Sequence, residues 1–314
     1  MSMQECIELM KKAFADLFAG NASDILRSFI KLPGDNIMSM MPGYVTREAV
    51  TGLKTLTVFP DNYKNNLPSH QGAVVLYNIE NGELKAIVDA TTITTIRTAA
   101  VSAVATDLLA RKNARVLALL GAGVQARSHL EAIQYVREIK KVNIWNIIPE
   151  ESARFKKEME GKYPVEICIS KTGEEACADA DILCTLTPAK TPILFHAWLK
   201  KGAHINAVGS CFPTSREVDT EIIRNAKIYV DSRISAAAEA GDLLIPVVNG
   251  EITRVEDVIA GEISEIIHAR PETIRTPDDL TLFESQGLAV EDITCANFLY
   301  QKAVSKDAGT QIDW

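Results

Sequence analysis

The sequence predicts an α/β protein whose larger part is a doubly wound parallel sheet. Residues 116–120, Val-Leu-Ala-Leu-Leu, have the length and the apolar side chains of a buried parallel strand. The glycine turn Gly121-Ala122-Gly123 follows directly, and apolar positions recur at helical spacing from Val124 onward. Short apolar runs then alternate with helical or mixed segments as far as residue 283, which is the alternation that such a sheet requires.

The glycine turn is typical of a Rossmann-type unit that binds a dinucleotide. Gly121 permits the turn, Gly123 lets the backbone approach a pyrophosphate, and Ala126 stands where a third glycine often sits. The free N–H groups and the positive dipole end of the following helix would then face the phosphates. Because GxGxxA also occurs in ordinary glycine turns, the strand before it and the helix after it are what favour a nucleotide.

The first 105 residues predict a different structure, mostly antiparallel strand after one helix. Residues 1–20 form an amphipathic helix whose acidic side chains argue against a signal peptide. Extended chain is expected over residues 25–41, and strands are expected over residues 52–59, 72–78 and 83–89, the last two joined by the hairpin-type turn Glu80-Asn81-Gly82. Residues 94–111 then form a long alanine-rich helix, along which we place the join between two domains.

Polar residues follow several strands of the predicted parallel sheet. Its further strands are expected at residues 142–146, 165–169, 182–185, 204–208, 228–231 and 280–283, and a last helix at residues 290–304. Ligands of such sheets bind beyond the carboxyl ends of the strands. The residues found there are Asn146, Thr185, Thr187, Gly209-Ser210-Cys211 and Ser285-Gln286-Gly287. Each is an ordinary loop residue by itself, and their shared position on one rim favours a binding site.

Composition excludes several classes of function. The 314 residues carry a formal net charge of −8, which argues against nucleic acid as a partner. The apolar stretches are far shorter than a bilayer span, so no membrane partner is expected. The six cysteines stand singly, as is typical of reduced thiols in a cytoplasmic protein. No His/Cys ligand spacing occurs, so the sequence predicts no metal site.

Three cations stand in apolar or strand-like surroundings in the first part of the chain: Arg27, Lys54 and Arg97. Each by itself is typical of a surface charge on a strand or at a helix end. Lys54 is the strongest candidate for a function, because it directly precedes a strand with alternating polar and apolar residues. Arg97 lies in the alanine-rich helix that leads to the glycine turn.

Together with the glycine turn, these residues belong to a set of ordered motifs that resembles the ornithine cyclodeaminase/mu-crystallin family. The matching stretches are residues 41–44, 52–60, 67–70, 96–100, 121–126, 202–209, 239–243 and 285–292. The resemblance implies a discontinuous α+β domain for substrate binding and dimerisation, residues 1–105 plus 290–314, around an inserted NAD(P)-binding Rossmann domain, residues 106–289. It also implies a homodimer with NAD or NADP as cofactor.

The resemblance also implies roles for single residues. Arg27 and Lys54 correspond to positions that hold the carboxylate of a small amino or imino acid substrate, with Arg97 and Gln286 beside them. Lys54 and Cys211 correspond to catalytic positions. The positions that correspond to cofactor contacts are Ser69, Arg97, Gly121, Gly123, Val124, Gln125, Asn146, Thr187, Val208 and Ser285.

Two departures from the family pattern bear on the reaction. Cyclodeaminases and their alanine dehydrogenase relatives have an aspartate where this chain has Cys211, and a thiol with a pKa near 8.5 handles protons less well at neutral pH than a carboxylate. The mu-crystallin-like ketimine reductases also lack that aspartate. Asn146 stands where an acidic residue would bind the ribose of NAD, so the choice between NADH and NADPH stays open.

Hydride transfer at a C=N carbon next to a carboxylate is the reaction that these residues fit. Arg27 and Lys54 would fix the carboxylate, and the crowding of cations would lower the pKa of Lys54 so that it also exchanges protons. We expect a reductase of a cyclic imino acid such as 1-pyrroline-2-carboxylate or 1-piperideine-2-carboxylate. Ornithine cyclodeaminase activity is the runner-up, and oxidative deamination of alanine is third. A protein that binds NAD(P)H without turnover is the non-enzyme alternative.

Overall fold

The computed structural model describes residues 1–65 and 67–312. The α-helices are α1 (Met3–Phe18), α2 (Ala90–Leu109), α3 (Val124–Val136), α4 (Pro149–Met159), α5 (Gly173–Cys177), α6 (Thr220–Asn225), α7 (Arg233–Glu239), α8 (Gly241–Val248), α9 (Ile263–Ile266), α10 (Pro271–Ile274) and α11 (Ala289–Ser305). Within the described residues, none of these helices combines the length and the hydropathy needed to cross a bilayer.

The strands form one antiparallel and one parallel sheet. Their bounds are β1 (Ala22–Asp24), β2 (Ser28–Lys31), β3 (Ile37–Val45), β4 (Val50–Val58), β5 (His70–Asn78), β6 (Leu84–Asp89), β7 (Val116–Leu120), β8 (Lys141–Trp145), β9 (Glu166–Ile169), β10 (Ile182–Thr185), β11 (His204–Ala207), β12 (Lys227–Val230), β13 (Ile259–Glu262) and β14 (Thr281–Glu284). The predicted α/β class is therefore confirmed.

The chain divides into two compact units. Unit 1 holds residues 1–97 and the chain from residue 288 onward, and unit 2 holds residues 98–287. The boundaries lie at 97/98 and 287/288, whereas the sequence suggested 105/106 and 289/290. The first boundary falls inside α2, an uninterrupted helix of 20 residues. Because no glycine or proline interrupts that helix, the sequence carries no mark at the point where its contacts change.

Unit 1 is an antiparallel sheet with two helices. The strand order is β1-β3-β4-β5-β6, with β2 paired to β3. Helix α11 packs against β3, β4 and β5, and α1 packs against α11. Along β4, Val50 and Lys54 are buried while Thr51 and Thr55 are partly exposed, which is the period-2 alternation of a sheet covered on one face. Lys54 is therefore held on the covered face by the register of its own strand.

Unit 2 contains the parallel sheet, with the strand order β13-β12-β14-β11-β10-β7-β8-β9. Strand β7 shows why its sequence is apolar throughout: Ala118 and Leu120 belong to one core cluster, and Leu117 and Leu119 belong to another. The two clusters bury helices against opposite faces of the sheet. The register aligns Leu120, Thr185, Ala207 and Glu284 across four neighbouring strands. The segments that follow these residues therefore leave the sheet side by side.

Candidate active site

Lys54 forms a buried ion pair inside unit 1. Its side chain is 2% exposed, and its Nζ donates a hydrogen bond to Oδ2 of Asp292 at 3.0 Å. Asp292 lies in the first turn of α11 and is fully buried. A carboxylate in that turn also interacts favourably with the positive end of the helix dipole. The pair thus ties β4 to the helix that covers it.

Arg97 joins the same cluster from α2. Its Nε donates to Oδ1 of Asp292 at 3.2 Å, and its Nη1 donates to Oε2 of Glu291 at 2.8 Å. Asp292 therefore accepts from Lys54 through one oxygen and from Arg97 through the other. Arg27 lies half-buried between β1 and β2, near enough for its positive charge to act on Lys54. Lys54 and Arg97 therefore share one carboxylate, and the charge of Arg27 also reaches Lys54.

The environment of Lys54 makes its proton exchangeable near neutral pH. Burial lowers the pKa of Lys54 to about 8, the positive charges of Arg97 and Arg27 act in the same direction, and Asp292 opposes them. Burial also acts to lower the pKa of Arg97, yet the charges of Asp292 and Glu291 outweigh it and raise that pKa above its usual range. Arg97 therefore remains charged, while Lys54 titrates.

The turn of unit 2 contains two glycines, and each position is glycine for a different physical reason. Gly121 has a φ of 110°, and a Cβ there would lie 2.7 Å from the carbonyl oxygen of Leu186, so the fold itself requires glycine. Gly123 is the N-cap of α3 and has an ordinary negative φ of −78°. A Cβ at Gly123 would meet no described atom within 4 Å. Its small size therefore leaves space for a ligand rather than for another part of the protein.

The start of α3 suits an anion. No side chain caps this helix end, so its first N–H groups are available to a phosphate. Val124, in the first turn, is exposed over 62% of its surface. Gln125 has its carbonyl oxygen 2.8 Å from Nδ1 of the buried His129. The arrangement fits the pyrophosphate of a dinucleotide.

The other predicted cofactor residues of unit 2 follow adjacent strands of its sheet. Thr187 follows β10, Val208 follows β11 and Ser285 follows β14. The N–H of Val208 bonds the carbonyl of Thr185 at 3.1 Å, and the N–H of Ser285 bonds that of Ala207 at 2.9 Å. Val208 and Ser285 therefore make the last backbone bonds of the sheet, and Thr187 lies just beyond them, at the carboxyl ends of the strands where ligands of such sheets bind.

Asn146 follows β8 on the other side of the glycine turn. Its Oδ1 accepts the N–H of Ile148 at 2.8 Å, which fixes the side chain in an Asx-type turn. Ile147 and Ile148 are exposed. An amide thus stands at the ribose end of the predicted dinucleotide site, without a neighbouring acidic side chain at 147 or 148.

Gln286, the other predicted substrate residue, is buried in unit 2. Its side chain is 4% exposed, and its Nε2 donates to Oε1 of Glu284 at 3.0 Å. Its backbone N–H donates to Oδ2 of Asp231 at 2.6 Å. These contacts explain its position through unit 2 itself, and substrate contact by Gln286 stays a prediction.

Cys211 and Ser69 complete the set of predicted residues. Cys211 is a half-buried thiol outside any disulfide, in the segment after β11. Ser69 directly precedes β5, and its carbonyl accepts the N–H of Phe59 at 2.8 Å.

Unit 1 thus brings together Arg27, Lys54 and Arg97, while unit 2 brings the predicted cofactor residues from 121 to 285 to one rim. Among the described residues, no group of three His, Cys, Asp or Glu side chains is arranged to hold a metal ion.

Comparison with known proteins decides the family. The model of the ornithine cyclodeaminase/mu-crystallin family matches residues 1–307. The chain belongs to this family. It is 35% identical to Delta(1)-pyrroline-2-carboxylate reductase of Bacillus cereus, over 100% of this chain and 96% of that protein. It is 41% identical to the ketimine reductase mu-crystallin of Mus musculus, over 84% of this chain and 79% of that protein.

A solved structure supports the same membership. The Delta(1)-pyrroline-2-carboxylate reductase of Thermococcus litoralis, in complex with NADH and L-proline, matches with a TM-score of 0.94 and 36% identity, covering 99% of this chain and 96% of that chain.

The sequence did not single out Glu291 and Asp292 as site residues, although both lie in the family motif at residues 285–292. Their role as counterions emerges from the fold, because Lys54 and Asp292 are 238 residues apart in the chain.

Proposed function

We propose that this protein reduces the C=N bond of a cyclic imino acid, such as 1-pyrroline-2-carboxylate or 1-piperideine-2-carboxylate, with NADH or NADPH. The observation that carries the proposal is the buried cluster in which Lys54 and Arg97 share Asp292. Such a cluster suits a carboxylate-bearing substrate that must gain a proton as well as a hydride. Relatives of the same family bear the names of pyrroline-2-carboxylate and ketimine reductases.

The residues of unit 2 fit a nicotinamide dinucleotide. The uncapped start of α3 and the small Gly123 would hold the pyrophosphate. Asn146 would hold the ribose nearest the adenine, while Thr187, Val208 and Ser285 would contact the nicotinamide end. When bound, the cofactor supplies the hydride. Contacts from Ser69 and Arg97 are proposed from the family resemblance.

The residues of unit 1 would bind the substrate and supply its proton. Arg27, together with Arg97 of the cluster, would hold the substrate carboxylate, since a guanidinium can donate to both carboxylate oxygens at once. A C=N carbon accepts hydride best when its nitrogen is protonated. Lys54, with its pKa near 8, holds a proton at neutral pH and would donate it to that nitrogen. One proton and one hydride convert the imine to the secondary amine.

Cys211 favours imine reduction over deamination. A cyclodeaminase must also activate and expel ammonia, for which family members use an aspartate at this position. A thiol there is a poor base at neutral pH. We therefore assign proton transfer to Lys54 and not to Cys211.

An assay of NADH and NADPH oxidation tests the reaction. The panel contains both cyclic imines, pyruvate with ammonia, and ornithine with NAD. We expect turnover of the cyclic imines, and Lys54→Ala should lower kcat/KM by at least about a hundredfold, as loss of a general acid does. Lys12→Ala, at an exposed position of α1, should leave turnover unchanged.

Other outcomes of the same panel favour the other candidates. Ammonia release from ornithine without imine reduction would make the protein a cyclodeaminase. Turnover of pyruvate with ammonia alone would make it an alanine dehydrogenase. Nucleotide binding with no turnover of any substrate would make it a binding protein.

We also propose that the protein is a cytoplasmic homodimer. None of the described cysteines is in a disulfide, as is usual in a reducing compartment. On the face of the antiparallel sheet opposite α11, Pro42, Leu53, Val75 and Ile87 lie directly beside one another across β3 to β6. None of the four is buried, and the exposed face of an antiparallel sheet is ordinarily polar. A second copy would cover this apolar row.

A further inference from the structure

Glu217 is a fully buried carboxylate beneath the rim of unit 2. Its Oε1 accepts the backbone N–H of Thr187 at 2.7 Å and the hydroxyl of Thr187 at 2.6 Å. Its Oε2 accepts the backbone N–H of Gly209 at 2.8 Å. One side chain thus binds the segments that leave two adjacent strands, β10 and β11.

These contacts continue the sheet beyond its last backbone bond. The last backbone hydrogen bond between β10 and β11 runs from the N–H of Val208 to the carbonyl of Thr185. Beyond it, the carboxylate of Glu217 joins the two segments by accepting bonds from Thr187 and Gly209. The two segments are so close that a Cβ at Gly209 would lie 2.1 Å from the carbonyl oxygen of Thr187 and 2.6 Å from Oε2 of Glu217. Their separation is therefore set by this carboxylate and by the absence of a side chain at Gly209.

Glu217 is itself held in place by a second buried carboxylate. Oδ1 of Asp242 accepts the N–H of Glu217 at 2.7 Å and that of Val218 at 2.8 Å. The N–H of Asp242 bonds Oγ of Ser210 at 3.2 Å, and Ser210 bonds the carbonyl of Ser215 at 2.7 Å. Because its backbone is fixed from both sides, the side chain of Glu217 transmits that position to Thr187 and Gly209.

We propose that Glu217 is a positioning residue for the nicotinamide end of NAD(P)H. The inference rests on the proposed function, in which Thr187 and Val208 contact that end of the cofactor. By fixing the spacing between these residues, Glu217 sets both the affinity for the reduced cofactor and the orientation of its ring. Burial and the charge of Asp242 raise the pKa of Glu217 to about 7. Burying this carboxylate therefore costs free energy that an apolar side chain in the same space would not cost.

Glu217→Gln tests the proposal with almost no change in volume. The amide has one acceptor oxygen, and its NH₂ group meets a backbone donor where the carboxylate accepted a bond. Binding of NADH is measured by its fluorescence without any substrate, and thermal unfolding is recorded in parallel. We expect the Kd for NADH to rise about tenfold, the loss typical of a charge-assisted hydrogen bond. At saturating NADH, kcat should also fall while the KM for the imine changes little.

Two further variants make the test specific. Glu221→Gln, four residues on and exposed in α6, should bind NADH like the wild type. Thr187→Val removes the hydroxyl bond to Glu217 and the acceptor of the Ala189 N–H, but keeps the backbone bond to Glu217, so its Kd should rise by a smaller factor. If Glu217→Gln fails to fold, Glu217→Asp, which keeps the charge but draws the carboxylate back from Thr187 and Gly209 by one methylene group, decides by the same measurement.

The result that overturns the proposal is an unchanged Kd and kcat in both variants, with or without a lower melting temperature. That pattern would make Glu217 a structural residue only. Wild-type protein that binds NADH but reduces no imine would end the proposed reaction and leave the role of Glu217 intact, because the binding measurement contains no substrate.

Discussion

At the scale of single residues, the chemistry depends on the protonation of Lys54. Its pKa is lowered from 10.5 to about 8, first by burial and then by Arg97 and Arg27. If protonated Lys54 is the acid, kcat/KM for imine reduction is constant below about pH 8 and falls tenfold per pH unit above it. A pH profile measures this limb. Lys54→Arg keeps a charge that does not titrate, so the residual activity should lack the limb.

The sign of the linked stability change follows from the same shift. Between pH 8 and 10.5 the unfolded lysine binds more protons than the folded one, so this group adds stability as the pH rises through that window.

Asp292→Asn removes the charge that holds the pKa of Lys54 up, and should move the limb of the profile below pH 8. Glu291→Gln is the matched control, because Glu291 accepts a bond from Arg97, whereas Asp292 accepts the bond from Lys54. If the limb stays at pH 8 in Asp292→Asn, the limb does not report the protonation of Lys54.

At the scale of elements, the two glycines of the β7–α3 turn should respond differently to alanine. Gly123→Ala adds a methyl group that meets no described atom, at a φ of −78° that alanine readily adopts. Its melting temperature should be nearly unchanged, while its Kd for NADH rises at least about tenfold because the methyl group occupies the place of the phosphates. Calorimetry and NADH titration measure the two effects.

Gly121→Ala is the comparison variant, and it should lose stability. Its φ of 110° and the 2.7 Å approach to Leu186 make alanine strained by about 1–3 kcal/mol. Tight NADH binding by Gly123→Ala would count against a pyrophosphate at the start of α3.

Elements that bury a continuous apolar run could be predicted from the sequence. Strands β7 and β10 coincide with the expected residues 116–120 and 182–185. Strand β13 was missed because it is a short edge strand that contains Gly261 and has a register shift against β12. Helix α8 was missed because Pro246 interrupts its helical pattern.

In the candidate site, too, some residues could be predicted from the sequence and others could not. Lys54 and Arg97 were predicted from their surroundings and from the family motifs, and the structure places both in one cluster. Their counterion Asp292 is 238 and 195 residues away along the chain, and no spacing rule joins residues so far apart. Glu217 was missed for a related reason: its partners are backbone N–H groups of Thr187 and Gly209, which every sequence contains.

At the scale of the whole molecule, the apolar row Pro42, Leu53, Val75 and Ile87 predicts self-association. A two-fold interface uses the same patch on both copies, so a row in the middle of a sheet can pack on its own image. Light scattering should then give twice the chain mass of 34.3 kDa. Ile87 is 64% exposed, and Ile87→Glu would place two buried charges in the interface, which should produce monomers with an unchanged fold by circular dichroism.

Val248→Glu provides the matched control for this substitution. Val248 is even more exposed, at 84%, but it lies at the end of α8 in unit 2 and does not belong to the row. The same charge there should leave the mass of the assembly unchanged. A wild-type protein of single-chain mass, or an Ile87→Glu variant that retains the dimer mass, would show that this row is not the interface, since a buried glutamate pair costs several kcal/mol.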